Sequence, residues 1–217
     1  MKNVRFVSIL AISSLLSACG SNNLIDEPIS EVSQSSDKLH TLNYWQGVRT
    51  TATGSNIAAY YNSSVANYGY TGAFDAARTA WSGISSKVNI AKSTTFVNTN
   101  DTYIVDGAAD PDAYGRVFPY KSNGSGGFIT ATVDESWHHA NLAIYNGSIA
   151  QDYPGLDSEK RQTVLHEVGH TIKMAHTTET TASNSVMYGG KADGNGTRSS
   201  FSVTAYDRGE VIQKWGQ

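Results

Sequence analysis

The feature that most constrains this chain is a group of three histidines and one glutamate within eleven residues. The sequence from His166 to His170 reads His-Glu-x-x-His, and His176 follows shortly afterwards. Residues four apart on a helix project from the same face, so the imidazoles of His166 and His170 can bind one metal ion. Glu167 lies about 100° around the helix from His166, where its carboxylate can take a proton from a water on the metal.

His176 can reach the same ion only if the chain turns sharply soon after His170. If the helix continued, His176 would lie roughly 240° around the axis and about 9 Å further along it. The sequence therefore predicts that the helix ends soon after His170 and that a turn brings His176 back as the third ligand. The alternative is a surface or core helix that carries histidine and glutamate without binding a metal.

The segment from His166 to His176 resembles the signature of the metzincin zinc peptidases, H-E-x-x-H-x-x-G-x-x-H. Ser185-Val186-Met187-Tyr188 resembles the Met-turn of that family, and its Met-Tyr pair is most similar to the matrixin branch. The resemblance implies that Met187 lies beneath the three imidazoles. It also implies an α+β, metzincin-like catalytic domain with a twisted mixed sheet, a zinc-site helix, a Met-turn and a C-terminal helix.

The chain departs from the signature at Lys173, where the family usually has glycine. Glycine suits that position because the turn is expected to need a positive φ, which costs a residue with a Cβ roughly 1–2 kcal/mol. A lysine near the C-terminus of a helix suits the helix dipole. The substitution leaves the set of three histidines intact.

The first 18 residues have the pattern of an export signal. Lys2 and Arg5 precede a mostly apolar run over residues 6–16, which is too short to span a bilayer. The run ends in Leu-Ser-Ala-Cys at Cys19, which resembles the lipobox of bacterial lipoproteins, where the peptide is cut before a cysteine that then carries lipid. An ordinary secretory signal with an unrelated cysteine is the alternative. The lipobox implies a protein anchored by lipid in the bacterial cell envelope and facing outside the cytoplasm.

Three regions are therefore expected: a signal peptide over 1–18, the lipidated cysteine and a flexible tether over 19–38, and a peptidase domain over 39–217. Residues 20–38 are polar and lack periodicity, as a tether would be. The remaining residues, about 180, suit one domain with one core. A net charge of −3 without a basic cluster argues against nucleic acid as a partner. We expect a monomer that contacts the membrane through its lipid.

The pattern of apolar residues predicts a mixed order of elements. An amphipathic helix is predicted over 71–85, and a capping-box-like pair, Thr204 and Asp207, resembles the start of the matrixin C-terminal helix. The zinc helix is expected to be capped by Asp157 or Ser158. Strands are predicted over 56–61, 88–91, 102–105, 114–120 and 128–133. This order matches that of the matrixin catalytic domain.

The segment from Gly126 to Trp137 also resembles a matrixin region, which in animal members helps to hold structural calcium and a second zinc. Gly115 and Thr132 fall where histidines of that second site would be needed, so we expect no structural zinc. His138 and His139 are predicted to form a surface pair, not a metal site.

Carboxylates in this part of the chain can bind calcium through hard oxygens, and a solvated acidic loop is the alternative. The candidate ligands are Asp106, Asp110, Asp134 and Glu135.

The resemblance implies a zinc-dependent endopeptidase that hydrolyses extracytoplasmic proteins or peptides. One catalytic Zn²⁺ would lower the pKa of its water, and Glu167 would accept the proton. The alternative is a non-catalytic metal-binding surface lipoprotein for adhesion or binding, but such a protein does not need a carboxylate beside the metal. Because Cys19 is the only cysteine, we expect no propeptide cysteine of the kind that silences secreted animal matrixins.

The family also implies how a substrate is held. In matrixins the substrate lies extended along an edge strand, which we expect within residues 118–133. Residues just past Met187 are expected to line the pocket for the side chain that follows the cut, namely Tyr188, Gly189, Gly190 and Lys191. Because two of these are glycines, we expect a loosely defined pocket and broad specificity.

Overall fold

The computed structural model describes residues 44–50, 57–177, 185–188 and 202–217. These residues form an α+β fold with a six-stranded mixed sheet and five helices, so the predicted fold class is confirmed at this level. The elements in chain order are β1 (Ile57–Tyr61), α1 (Ser63–Asn67), α2 (Thr71–Trp81), β2 (Ile90–Ser93), β3 (Asp101–Asp106), β4 (Gly115–Ser122), β5 (Phe128–Thr130), β6 (His139–Tyr145), α3 (Asn146–Asp152), α4 (Asp157–Thr171) and α5 (Ala205–Trp215).

The sheet has the strand order β2-β1-β3-β6-β4-β5. Strands β1, β2, β3 and β6 are parallel, whereas β4 is antiparallel to both of its neighbours. The short strand β5 pairs with β4 only at Tyr120–Ser122. Among the described residues, positions 115–118 of β4 therefore pair with β6 alone, and their other edge is open.

The core lies between one face of the sheet and the helices α2 and α4. In β6, Leu142 and Ile144 are buried while the residues between and beside them are partly exposed, which is the period of two expected of a strand with one buried face. Trp81 of α2 is fully buried, and its indole N–H donates to the carbonyl of Leu165 in α4 at 2.8 Å. Burial of each large apolar side chain contributes about 1.5–3 kcal/mol, so this layer holds α4 firmly against the sheet.

Most predicted elements are present, with shifted ends. The predicted strands over 56–61, 102–105 and 114–120 correspond to β1, β3 and β4, whereas β2 begins at Ile90 and β5 ends at Thr130. The helix predicted over 71–85 ends at Trp81, because Ser82 already has an extended backbone with a ψ of 144°. The next residue, Gly83, has a φ of 74° and donates its N–H to Val88 O instead of to the helix.

Of the two predicted helix caps, one is present and one is not. Thr204 and Asp207 form a reciprocal capping box at the start of α5, as predicted. The predicted cap of the histidine helix by Asp157 or Ser158 is wrong, because Asp157 is already the first helical residue and Leu156 precedes it without a side-chain bond. The carboxylates of Asp157 and Glu159 instead lie in the first turn, where the helix dipole favours negative charge.

The signal peptide, Cys19 and the tether lie outside the described residues. Within the described part of the chain, no helix has both the length and the apolar character needed to cross a membrane.

Candidate metal centre

The Nε2 atoms of three histidines meet at one point at the end of α4. Nε2 of His166 lies 3.0 Å from that of His170 and 3.0 Å from that of His176, and the last two are 3.1 Å apart. Within the described ranges, no other group of three His, Cys, Asp or Glu residues brings its ligand atoms within 4.8 Å of one another. The structure therefore brings together the three histidines that the sequence singles out.

A tight turn after α4 makes this meeting possible. The helix ends at Thr171, one residue past His170. Lys173 has a φ of 72°, and it is the one non-glycine residue with positive φ in the described chain. The N–H of Met174 donates to Gly169 O at 3.1 Å, and that of Lys173 donates to His170 O at 3.0 Å. These two bonds form a Schellman motif, so the predicted positive φ at Lys173 is confirmed.

Two of the imidazoles are fixed by backbone carbonyls. Nδ1 of His166 lies 2.8 Å from Val186 O, and Nδ1 of His170 lies 2.7 Å from Met174 O. A carbonyl only accepts hydrogen bonds, so each Nδ1 carries the proton and each neutral ring presents an unprotonated Nε2. Burial, aided by the nearby His176, lowers the pKa of His170 to about 3, although the bond to Met174 opposes the shift. His170 is thus in the neutral, metal-binding form near pH 7.

The chemistry of this donor set fits a zinc-sized cation. The unprotonated Nε2 atoms of His166 and His170 lie 3.0 Å apart, and two facing lone pairs at that distance repel each other unless a cation lies between them. Three nitrogens around a tetrahedral zinc, each about 2.0–2.1 Å from it, are roughly 3.3 Å apart. The observed separations of 3.0–3.1 Å are close to that value, and imidazole nitrogens are preferred zinc ligands.

Helix α5 orients His166 through a short chain of hydrogen bonds. The carboxylate of Asp207 accepts from the Ser185 hydroxyl and, at 3.2 Å, from the Val186 N–H. The carbonyl of Val186 in turn accepts from His166. Thr204, the N-cap of α5, holds the same carboxylate. The capping box therefore supports the position of a candidate ligand.

Met187 is buried against the histidine helix. It is 3% exposed, and a Cβ added at Gly169 would lie 2.5 Å from its sulfur and 2.8 Å from Trp81. Glycine at position 169, directly before His170, therefore allows the methionine to pack against the helix backbone. The Ser185–Tyr188 turn thus lies against the part of α4 that carries the histidines.

Glu167 lies in the same cleft as the histidines and against the backbone of β4. It is 7% exposed, and a Cβ added at Gly115 would lie 2.5 Å from its Cγ and 2.9 Å from Oε1. Gly115 therefore makes room for the carboxylate. This role of Gly115 could not be predicted from the sequence, because Gly115 and Glu167 are far apart in the chain.

A cleft of about 370 Å³ lies over the histidines. The open edge of β4 forms one side, and Tyr188 also lines the cleft. Gly189, Gly190 and Lys191 lie outside the described residues. An edge strand was expected within 118–133, and β5, at one edge of the sheet, lies in that range. The open stretch that borders the cleft is instead 115–118 of β4, of which only the last residue falls in the range. The lining residues are Trp45, Asp112, Ala113, Tyr114, Gly115, Arg116, Val117, Phe118, Val133, Thr163, His166, Glu167, His170, His176 and Tyr188.

The side chain of Lys173 is buried instead of lying near solvent at the helix end. Its ammonium donates to the carbonyls of Val133 and Glu135, both at 2.9 Å, and lies 3.7 Å from the centre of the Trp137 ring. Burial lowers its pKa to about 7, and the nearby Lys214 acts in the same direction. Lys173 therefore joins the turn after α4 to the loop over 133–137.

The four candidate calcium ligands do not form one cluster within the described residues. Asp110 pairs with Arg116, which lowers the pKa of Asp110. Glu135 pairs with Lys121, and this ion pair lowers the pKa of Glu135. Asp106 and Asp134 instead accept backbone N–H groups.

The prediction of a surface pair at His138 and His139 is wrong for His139. That residue is only 7% exposed. It begins β6, and its ring stacks on Tyr120 at 5.2 Å and meets the edge of Phe128 at 4.6 Å. Packing against two aromatic rings therefore removes it from the surface.

Neither models of protein families nor curated proteins give a match to this sequence. A functional assignment therefore depends on the residues of the cleft themselves.

Proposed function

We propose that this chain is a zinc-dependent endopeptidase of the matrixin-like metzincin type, which hydrolyses peptide bonds of extracytoplasmic proteins or peptides. The observation that carries the proposal is the meeting of three histidine Nε2 atoms in one cleft with Glu167. His166, His170 and His176 would hold the ion. When bound, zinc supplies a Lewis acid that lowers the pKa of a water to about 7.

Glu167 acts as the general base. Its carboxylate accepts a proton from the attacking water as the water oxygen forms a bond to the peptide carbonyl carbon. Glu167 then gives the proton to the amine nitrogen as the carbon–nitrogen bond breaks, so one proton passes from the water to the leaving group. The close backbone of Gly115 keeps the carboxylate on the cleft side of α4.

The open edge of β4 binds the substrate backbone. An extended peptide laid along positions 115–118 adds a strand to the sheet and exchanges N–H and C=O bonds with that edge. Such bonds give affinity with little demand on sequence, so side chains in the cleft set the preference. Tyr188, which lines the cleft, contacts the side chain after the cut.

The lipobox at Cys19 supports an anchored protein in the bacterial cell envelope, facing outside the cytoplasm. A short tether would hold the peptidase near the membrane, where proteins outside the cytoplasm are within reach.

Hydrolysis of a peptide library tests the proposal. The protein should cleave peptides when loaded with zinc, lose activity with a chelator and regain it when zinc is returned. An Asp157→Asn variant is a matched control, because that carboxylate also lies on α4 but is exposed and outside the cleft. Tight zinc binding without cleavage of any library member would contradict the proposal and favour a non-catalytic metal-binding lipoprotein.

A further inference from the structure

The segment over 44–50 packs directly on the metal centre. The indole of Trp45 stacks on the imidazole of His170, with ring centres 4.8 Å apart and planes 10° apart. The N–H of Trp45 donates to Lys173 O at 2.8 Å, and Tyr44 forms an antiparallel bridge with Met174. Because Met174 O also holds the His170 ring, the segment and the ligand are fixed to the same turn.

The rest of the segment is anchored deep in the fold. The guanidinium of Arg49 is buried and bonds both carboxylate oxygens of Asp101, at 2.8 and 2.9 Å, and Thr171 O at 2.7 Å. The carbonyl of Val48 accepts from Trp137 N at 3.0 Å. Buried bidentate pairs of this kind are costly to break, so Trp45 is held against His170 by a fixed backbone.

A stack of side chains continues outward from the ligand. Trp45 meets Trp137 edge to face at 5.7 Å, and the ammonium of Lys173 lies 3.7 Å from the centre of the Trp137 ring. The imidazole of His170 is therefore restrained at Nδ1 by a carbonyl and on its face by an indole. Hydrogen-bonding partners that orient a metal ligand typically contribute 10–100-fold to metal affinity or activity, and the stacked indole restrains the same ring.

Trp45 also lines the cleft, together with the apolar side chains Phe118 and Val133. It is partly exposed, so one part of the indole covers the ligand while another part faces the space above it. An apolar side chain placed there would remove indole surface from water, which is favourable.

We propose that Trp45 completes the metal centre, as a positioning residue that holds His170 in its ligating orientation and as an apolar wall that contacts a substrate side chain. The second role rests on the proposed peptidase function, whereas the first does not. The segment that follows the tether is thus part of the site.

Zinc affinity of the full-length chain tests the first role. Trp45→Leu keeps apolar volume but removes the stacked ring, and it should weaken zinc binding about 10–100-fold in competition with a chromophoric chelator. Trp45→Phe should restore affinity to within about threefold of wild type, because it returns a ring. Phe96→Ala is a matched control, since Phe96 is an aromatic residue that is 58% exposed and lies outside the cleft. Wild-type affinity in Trp45→Leu would overturn the proposal.

Urea unfolding of the metal-free variants separates positioning from general stability. If Trp45→Leu lost stability but kept its zinc affinity, the stacking would be structural only and the first role would be wrong.

The kinetics of peptide hydrolysis test the second role. At saturating zinc, Trp45→Leu should raise KM about tenfold for peptides with an apolar residue at the cut and change kcat much less. An unchanged KM would overturn the second role. If the wild-type protein cleaved no peptide, the proposed function would fail while the zinc measurements still decided the first role.

Discussion

Replacement of Lys173 by glycine, the residue of the metzincin signature, should destabilise this protein. The backbone at Lys173 has a φ of 72°, and relief of that strain would favour the variant by about 1–2 kcal/mol. The greater freedom of glycine in the unfolded chain removes about 0.5–1 kcal/mol of this gain. Taken together, these two backbone effects therefore make the glycine variant only slightly more stable than wild type.

The buried side chain outweighs that gain. Loss of the ammonium leaves the carbonyls of Val133 and Glu135 without their donor, at about 1–2 kcal/mol each. The contact with Trp137 contributes about 1–2 kcal/mol more, and the apolar stem adds about 2 kcal/mol. Part of this loss in stability is offset, because the glycine variant does not have to remove an amine from water when it folds. We expect a net loss in the free energy of unfolding of about 3 kcal/mol.

Urea unfolding of the metal-free protein measures this loss. Lys173→Met is the control variant, because it keeps an unbranched apolar stem and the strained backbone but lacks the ammonium, and its loss should be smaller. A Lys173→Gly protein as stable as wild type would refute the reasoning, since the buried ammonium would then contribute nothing beyond its backbone cost.

The pH dependence of stability, compared between wild type and Lys173→Met, gives an independent check. Burial lowers the pKa of Lys173 from 10.5 to about 7 in the folded protein, so the unfolded chain binds more protons between these values. Stability then rises with pH across that window, and the full cost of burying the charge applies below about pH 7. Lys214 and Arg49 strengthen the shift, and Asp134 opposes it. Wild type should therefore gain stability relative to Lys173→Met between pH 7 and pH 9, and a constant difference would contradict the assignment.

Three further variants test other parts of the site. His170→Ala should lose the approximately one zinc per chain that elemental analysis is expected to find in wild type, and full occupancy in this variant would rule out the ligand set. Gly115→Ala should keep its zinc but lower kcat at least about tenfold, because the new Cβ would displace Glu167; an unchanged kcat would show that the carboxylate has room. Asp207→Asn should weaken zinc binding about tenfold by loosening the Val186 carbonyl that orients a ligand, and wild-type affinity measured by chelator competition would exclude this connection.

Features that depend on a few neighbouring residues could be predicted from the sequence. The spacing of His166, His170 and His176 required a turn, and the turn is present. Positive φ at Lys173 and the capping box at Thr204 are likewise local, since each follows from the geometry of one helix end. These features need no knowledge of the rest of the fold.

Contacts between distant segments could not be predicted. The stacking of Trp45 on His170 and the fit of Gly115 to Glu167 join parts of the chain with no shared local pattern. The burial of Lys173 escaped prediction for the same reason, because its acceptors lie in another loop.

Strand β6 lies between β3 and β4 in the sheet but is not among the strands that the sequence predicts. The strand begins with the polar residue His139, and from Ala140 onward every second residue, Ala140, Leu142 and Ile144, lies on the buried face. A polar residue at the start of a strand can face the sheet side away from the helices, and here Tyr120 and Phe128 cover it.

The most direct test of the central claim is the rate of peptide hydrolysis by Glu167→Gln at a measured zinc content. Glutamine keeps the shape of the side chain but cannot accept the proton from water. If Glu167 is the general base of a zinc peptidase, the variant should retain about one zinc per chain and lose about 10²–10⁴-fold in kcat. A zinc-loaded Glu167→Gln protein that cleaves at nearly the wild-type rate would contradict the account.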